Sequence, residues 1–179
     1  MFEINKTVLV VIDVQGKLAT LVAEKEKVYA NISGLIKAVQ ILNIPIIYTE
    51  QVPEKIGKTI PKIALLLSTL SPITKSSFSC CGSKEFLEQL TRLKRKQVII
   101  TGIETHVCVY QTITDLLKLQ FAVQVVADAV SSRTAENRRI ALERVKKLGA
   151  DITSTEMVLC ELLKTAKHEK FRDIIKFIK

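Results

Sequence analysis

Thr7-Val8-Leu9-Val10-Val11-Ile12-Asp13-Val14 is the stretch on which the fold turns. A short run of apolar, mostly β-branched residues without polar alternation suits a strand covered on both faces, as strands of a parallel sheet are. Asp13 interrupts the run near its end, and a partly buried carboxylate there needs a partner or a raised pKa. Spacing alone leaves two readings of Asp13 open: a structural hydrogen-bond acceptor or helix cap, and a reacting carboxylate.

Working outward, strand and helix alternate. Between Glu24 and Leu42 the apolar positions Val28, Ile32, Leu35, Ile36, Val39 and Leu42 recur at three- and four-residue steps, which marks an amphipathic helix. A second strand, Ile44 to Thr49, follows. Residues 50–82 are punctuated by Pro53, Gly57, Pro61 and Pro72, so they read as a long loop in which only Pro61 to Leu70 holds a helix turn or two. Loops of that length tend to carry function. Ser83 is placed to cap a helix through Leu93, Gln97 to Thr101 is a third strand ending at Gly102, and residues 106–119 look helical. Phe121 to Ala127 forms a fourth strand with Asp128 at its end, Thr134 to Leu148 a helix stopped by Gly149, Ile152 a short fifth strand, and Glu156 to Ala166 a last helix.

Such alternation predicts one α/β domain over residues 1–179, a three-layer α/β/α, Rossmann-like arrangement with a mainly parallel sheet of about five or six strands. Ligands of these sheets bind outside the carboxyl ends of the strands. Chemistry is therefore expected at Asp13, the 50–80 loop, the 102–108 turn and Asp128.

Composition narrows the function classes. The 179 residues are 47% hydrophobic and 25% charged, with six Gly and four Pro, which fits a filled core and excludes a disordered chain. No stretch approaches the roughly 20 apolar residues of a bilayer span, and the N-terminus runs into a strand instead of a signal peptide, so no membrane role and a cytoplasmic location are expected. Cys80, Cys81, Cys108 and Cys160 form no disulfide framework for a chain of this size, and reduced thiols are expected. The two histidines, His106 and His168, lie far apart, so neither a metal nor another cofactor is expected. Twenty-seven basic against 18 acidic residues give a net charge of +9. Lys94-Arg95-Lys96, Arg138-Arg139, Lys146-Lys147 and the C-terminal Lys164, Lys167, Lys170, Arg172, Lys176 and Lys179 carry much of it. Acidic residues interleave them and no nucleic-acid-reading motif is present, so solvated helix faces are expected, with no specific nucleic acid as partner.

Among residues able to do chemistry, Cys108 comes six after Gly102, near the start of a helix whose free N–H groups favour a thiolate. A buried core cysteine is the alternative. Lys75, in Thr74-Lys75-Ser76-Ser77-Phe78-Ser79, reads as a loop lysine away from other charges, solvated or functional. His106 reads as a pocket-wall or structural residue. Cys80 and Cys81 lack a strand-to-helix setting that would activate a thiol.

Val11-Ile12-Asp13-Val14-Gln15, Lys75-Ser76-Ser77-Phe78-Ser79, Gly102-Ile103-Glu104-Thr105-His106-Val107-Cys108-Val109 and Val126-Ala127-Asp128-Ala129-Val130 together resemble the isochorismatase-like cysteine hydrolases. Order and spacing match from about Val8 to His168. The resemblance implies a catalytic triad of Asp13, Lys75 and Cys108, and a non-proline cis peptide at Ile103–Glu104. It also implies an oxyanion hole of the Glu104 and Cys108 amides, with Gln15 and Phe78 in the substrate pocket. It further implies a small-molecule substrate and a homo-oligomer, for which the apolar segment Ile63 to Leu70 is a second ground.

Departures from the family pattern restrict the reaction. The Asp-x-His metal motif of nicotinamide-hydrolysing members is replaced by Glu50-Gln51-Val52-Pro53, and the cysteine at 108 differs from members that cleave isochorismate. The expected function is cysteine-dependent hydrolysis of a small amide-, imide- or ester-like carbonyl through a thioester, probing most reactive at Cys108. If Lys75 sits beside Asp13 and Cys108, its charge is expected to let the thiolate form near neutral pH. The alternatives are a catalytically silent oligomeric scaffold and a basic binding protein on the same fold.

Overall fold

The computed structural model describes residues 1–178; Lys179, counted among the basic residues above, lies outside the described residues. In chain order the elements are β1 (Thr7–Ile12), α1 (Leu18–Leu21), α2 (Lys25–Ile41), β2 (Ile46–Gln51), α3 (Pro53–Ile56), α4 (Pro61–Ala64), β3 (Ile73–Lys75) and α5 (Lys84–Arg92). Then follow β4 (Gln97–Ile103), α6 (Tyr110–Lys118), β5 (Ala122–Ser131), α7 (Ala135–Lys147), β6 (Asp151–Thr153), α8 (Thr155–Leu163) and α9 (Phe171–Ile174). The strands form one six-stranded sheet in the order β3-β2-β1-β4-β5-β6, with every neighbouring pair parallel.

The β1 run behaves as its composition requires. Val8, Val10 and Ile12 pack with Phe86 and Leu90 of α5, Ile113 and Leu116 of α6 and Val145 of α7. Leu9 and Val11 point the other way, into Ile32, Leu35, Ile36 and Val39 of α2 and Leu159 and Leu162 of α8. Two apolar layers on the two faces of one central strand are what a three-layer sheet demands of its sequence. Ser83, Thr134 and Ser154 cap α5, α7 and α8 by accepting from the N–H groups of Phe86, Asn137 and Met157.

The chain reverses direction across the sheet at β1. Strands β2 and β3 are added on one side of it and β4, β5 and β6 on the other, so the crossovers part above the carboxyl ends of β1 and β4 and leave a crevice there. Gly102 is what lets the two strands close up. It pairs with Ile12 and has φ +120°, and a Cβ would stand 2.1 Å from the Ile12 carbonyl oxygen, which no other residue tolerates.

Three expectations need correction. Ile73-Thr74-Lys75 is a strand, β3, and not loop, so Lys75 ends a strand at the sheet edge; three residues are too few to show a period. Strand β5 runs on through Asp128 to Ser131, because pairing with β4 resumes at Gly102 and Ile103 after a register shift. The Ile63–Leu70 run is not uniformly exposed: α4 and the 3-10 turn after it bury Ile63 and Leu67, while Leu65 is 75% exposed. No helix among the described residues is long and apolar enough to cross a membrane.

Candidate active site

Asp13 leaves β1 with a positive φ of 50°, a conformation aspartate tolerates better than most residues, and its side chain is turned into the crevice wall, fully buried. Its Oδ1 accepts from Thr49 Oγ1 at 2.7 Å and its Oδ2 from Lys75 Nζ at 2.6 Å. Thr49 stands beside Asp13 because β2 runs parallel to β1, and the Asp13 N–H donates to the Thr49 carbonyl at 3.2 Å.

Lys75 arrives from two strands away. Pairing of β3 with β2 sets it opposite Gln51, and its side chain is wholly buried. The ammonium donates to Asp13 Oδ2, to Gln51 Oε1 at 2.7 Å, and to the carbonyls of Ser77 and Phe78 at 3.2 and 3.1 Å. Its neighbours in sequence carry no charge, yet in the fold it is the buried partner of a carboxylate. Removing either member of such a pair leaves an uncompensated charge in the interior.

Cys108 comes from the third direction, over the end of β4. The Ile103–Glu104 peptide is cis, and residues Thr105–Val109 form a single π-helical turn that runs into α6. The Glu104 carbonyl accepts from the N–H groups of Val107 at 3.1 Å and Val109 at 3.2 Å, passing over that of Cys108 between them. Turns of this type concentrate at functional sites. Cys108 is 7% exposed and shares the wall of one cavity with Asp13. Burial pushes its pKa up, the negative charge of Asp13 pushes it further, and Lys75 offsets part of this. This direction runs against the expected near-neutral thiolate: desolvation and the Asp13 charge outweigh the lysine.

Asp13 and Cys108 line a cavity of about 90 Å³ together with Gln15, Leu18, Gln51, Ile56, Phe78, Glu104 and Val107, while Lys75 reaches Asp13 from outside that lining. Gln15 is a buttress: its amide N donates to the Gln51 and Gly57 carbonyls, and its amide O accepts from the Gln51 N–H. Glu104 Oε1 accepts from the N–H of Arg133 at 3.1 Å and from its Nε at 3.0 Å. The Phe78 ring is 54% exposed at the edge of the cavity. His106 turns elsewhere, with Nδ1 2.9 Å from Ser132 Oγ.

The other thiols differ from Cys108 in setting. Cys80 is fully buried behind Thr49, and burial with the Asp13 charge raises it to about 11. Cys81 is raised to about 12, chiefly by burial, and Cys160 is exposed. Asp128, expected at the site, is held at a distance from it: its Oδ1 accepts from the Thr155 N–H and Oγ1 at 2.8 and 2.9 Å, anchoring the start of α8. Among the described residues no group of three or more His, Cys, Asp or Glu is arranged to hold a metal ion.

Thr49, Leu18 and Arg133 lie outside the segments where the site was expected, and Gln51 and Ile56 lie within the 50–80 stretch without having been singled out. The one available signal was Thr49-Glu50-Gln51, a polar triplet closing a buried strand.

The model of the isochorismatase domain matches residues 7–157. Isochorismatase domain-containing protein 2 of Danio rerio is 38% identical over 172 residues, covering 96% of this chain and 86% of its own. A solved structure described as the MAR1 ribonuclease of Caenorhabditis elegans superposes with a TM-score of 0.93 at 36% identity, covering 99% of this chain and 91% of that one. The Escherichia coli YcaC product, described as an octameric hydrolase of unknown specificity, shares the fold with a TM-score of 0.93 at 23% identity, covering 98% and 89%.

Proposed function

The chain belongs to the isochorismatase family, and from that premise we propose that it is a cysteine hydrolase of small amide-, imide- or ester-like carbonyl compounds. The observation that carries the reading is the buried pair of Asp13 with Lys75 at 2.6 Å, with Asp13 and Cys108 lining one cavity. A buried carboxylate–ammonium pair and a covered thiol at one cavity are costly to assemble, and such groups are found where they act.

In this mechanism Cys108 Sγ attacks the carbonyl carbon while its proton passes to Asp13, so no thiolate accumulates beforehand. The carbonyl oxygen becomes an oxyanion held by the amides of Glu104 and Cys108, each worth on the order of 3 kcal/mol at the transition state. The C–N or C–O bond then breaks, and the proton on Asp13 goes to the leaving nitrogen or oxygen. A thioester remains. Water, giving a proton to Asp13, attacks it, the C–S bond breaks, and the proton returns to sulfur as the carboxylic acid departs. Lys75 holds the Asp13 carboxylate in place throughout and is not itself a base.

The word ribonuclease in the C. elegans description makes RNA a second candidate substrate, and the net charge of +9 is the observation on its side. Several of the basic residues are otherwise engaged: Arg95 donates to the Ile4 and Thr7 carbonyls, Arg138 to that of Val130, and Arg139 pairs with Glu136 and Glu143. A cavity of about 90 Å³ also suits a small group better than a polymer. The reading includes a homo-oligomer, supported by exposed Leu65 and by the octamer described for YcaC, and a reducing, cytoplasmic setting, supported by four unpaired cysteines. Light scattering that returns a monomer at micromolar concentration removes the first.

Screening small amides, imides, thioesters and single-stranded RNA against wild type and Cys108→Ala in parallel tests the reaction. Turnover of a small carbonyl compound that disappears in the mutant is expected. RNA cleavage lost in the mutant, with no small compound turned over, would replace the reading.

A further inference from the structure

The cavity wall looks polar in composition, yet each amide and carboxylate side chain in it already holds at least one protein partner. The Gln15 amide is tied to the backbone of Gln51 and Gly57. The Gln51 amide accepts from Lys75 and donates to the Ser76 carbonyl at 2.7 Å. Glu104 is paired with Arg133, and Asp13 with Lys75. Lys75 has three protons facing four acceptors, Asp13, Gln51 and the carbonyls of Ser77 and Phe78, so none is left over for an incoming carboxylate. Both ion pairs close on themselves, one cation to each carboxylate, and the remaining wall is Leu18, Ile56, Phe78 and Val107.

A charged ligand entering such a space would lose its hydration and gain no counter-ion. Size is restricted as well. At about 90 Å³ the cavity is smaller than the roughly 150 Å³ void that accommodates benzene in an engineered core, so it suits a group of about four or five heavy atoms. The Phe78 ring, 54% exposed, is the wall member that meets solvent most openly, while its main-chain carbonyl is fixed by Lys75. Its side chain can therefore be trimmed without removing a contact of the buried pair.

We propose that the site selects small, electrically neutral carbonyl compounds bearing a short apolar group, and that Phe78 sets the size limit at its mouth. This deepens the hydrolase reading and rests on it for the identity of the reacting carbonyl.

Iodoacetamide and iodoacetate, nearly equal in size and different in charge, test the selection without any turnover. Each is applied to the folded protein near pH 7.5, and the rates at Cys108 and at exposed Cys160 are mapped by mass spectrometry. The preference for the neutral reagent at Cys108 is expected to exceed that at Cys160 by at least about 10-fold, since only the former thiol sits in a desolvated wall that offers no unpaired cation. Equal preferences, or no reaction of iodoacetamide at Cys108, would overturn the proposal. The size limit is read with N-phenyl iodoacetamide, which wild type should exclude from Cys108 relative to iodoacetamide and Phe78→Ala should admit at least several-fold better. An unchanged ratio, or a collapse of the iodoacetamide rate itself in Phe78→Ala, would show that the ring does not act as the limit. Charge selection without hydrolysis of any neutral amide would sink the hydrolase reading and leave the selection standing. Equal alkylation preferences with Cys108-dependent hydrolysis of an anionic amide such as succinamate would do the converse.

Discussion

Asp13 and Asp128 both follow apolar strand runs, and both sit toward the carboxyl end of a buried strand, yet the two ends of the sheet use them differently. Asp13 leaves β1 altogether and is sealed between Thr49 and Lys75. Asp128 stays within β5, half-buried, and fixes the first residue of α8. Their neighbours make the difference. Strand β1 lies between β2 and β4 at the reversal of the strand order, so three chain segments converge on its end, whereas β5 is flanked on its outer side by the three-residue β6. An aspartate at a strand end acquires chemistry only where the topology delivers partners to it.

Exchanging each aspartate for asparagine is the hardest test of that contrast. With a substrate in hand, Asp13→Asn should lower kcat by about 10³-fold or more, in the range of a lost general base, while Asp128→Asn keeps kcat within about two-fold. Comparable losses in the two variants would erase the distinction.

Lys75→Met probes the same end from the cation. Leaving Asp13 buried without its partner should cost about 3–5 kcal/mol in denaturant unfolding. In the folded variant the pH profile of Cys108 alkylation should move upward, because Lys75 is the group that opposes the rise of the thiol pKa. Lys94→Met and Lys146→Met, which remove surface charge alone, should stay within about 0.5 kcal/mol and leave that profile in place. An unaltered profile in folded Lys75→Met would assign thiol activation to Asp13 and the backbone amides.

Alkaline pH should weigh on the β1 end specifically. An unfolded thiol loses its proton near the ordinary value of 9.0, while folded Cys80 keeps its proton up to about 11. Between those values the unfolded state binds fewer protons than the folded one, so stability falls as pH rises, at up to about 1.4 kcal/mol per pH unit for this thiol. Cys80→Ala should flatten the fall measured by urea unfolding between pH 9 and 11. A smaller effect than at the buried pair is expected at the other end: Asp128→Ala, which frees the Thr155 N–H at the start of α8, should cost about 1 kcal/mol without touching Cys108 alkylation.

Much of this architecture could be read from residue patterns. The β-branched runs of β1 and β4 and the three- and four-residue steps of α2 are long enough to carry their own periodicity, and Ser83 announced a helix start. Asp13, Lys75 and Cys108 came from matching signatures, and only Asp13 and Cys108 also stood out by position. What stayed hidden depends on pairing across the chain. Ile73-Thr74-Lys75 is a strand only because Thr49, Glu50 and Gln51 offer it a ladder. The Thr49 hydroxyl and the Gln51 amide belong to the site because β2 lies between β1 and β3, an ordering no local window contains. The raised Cys108 pKa likewise follows from how deeply the thiol is covered, which the helix-start argument does not address.

One consequence concerns hydrogen exchange. Lys75 rides on a three-residue strand paired on one side only, while Asp13 and Cys108 follow β1 and β4, which are each paired on both sides. Opening of β3 therefore breaks one short ladder together with the Lys75–Asp13 pair, and it can proceed as a sub-global event in which the rest of the sheet keeps its protection. The buried ammonium would leave Asp13 with it, so the integrity of the site is tied to this one edge strand. Amide protons of residues 73–75 should exchange well ahead of those of residues 8–12, at a rate that a bound ligand in the cavity slows.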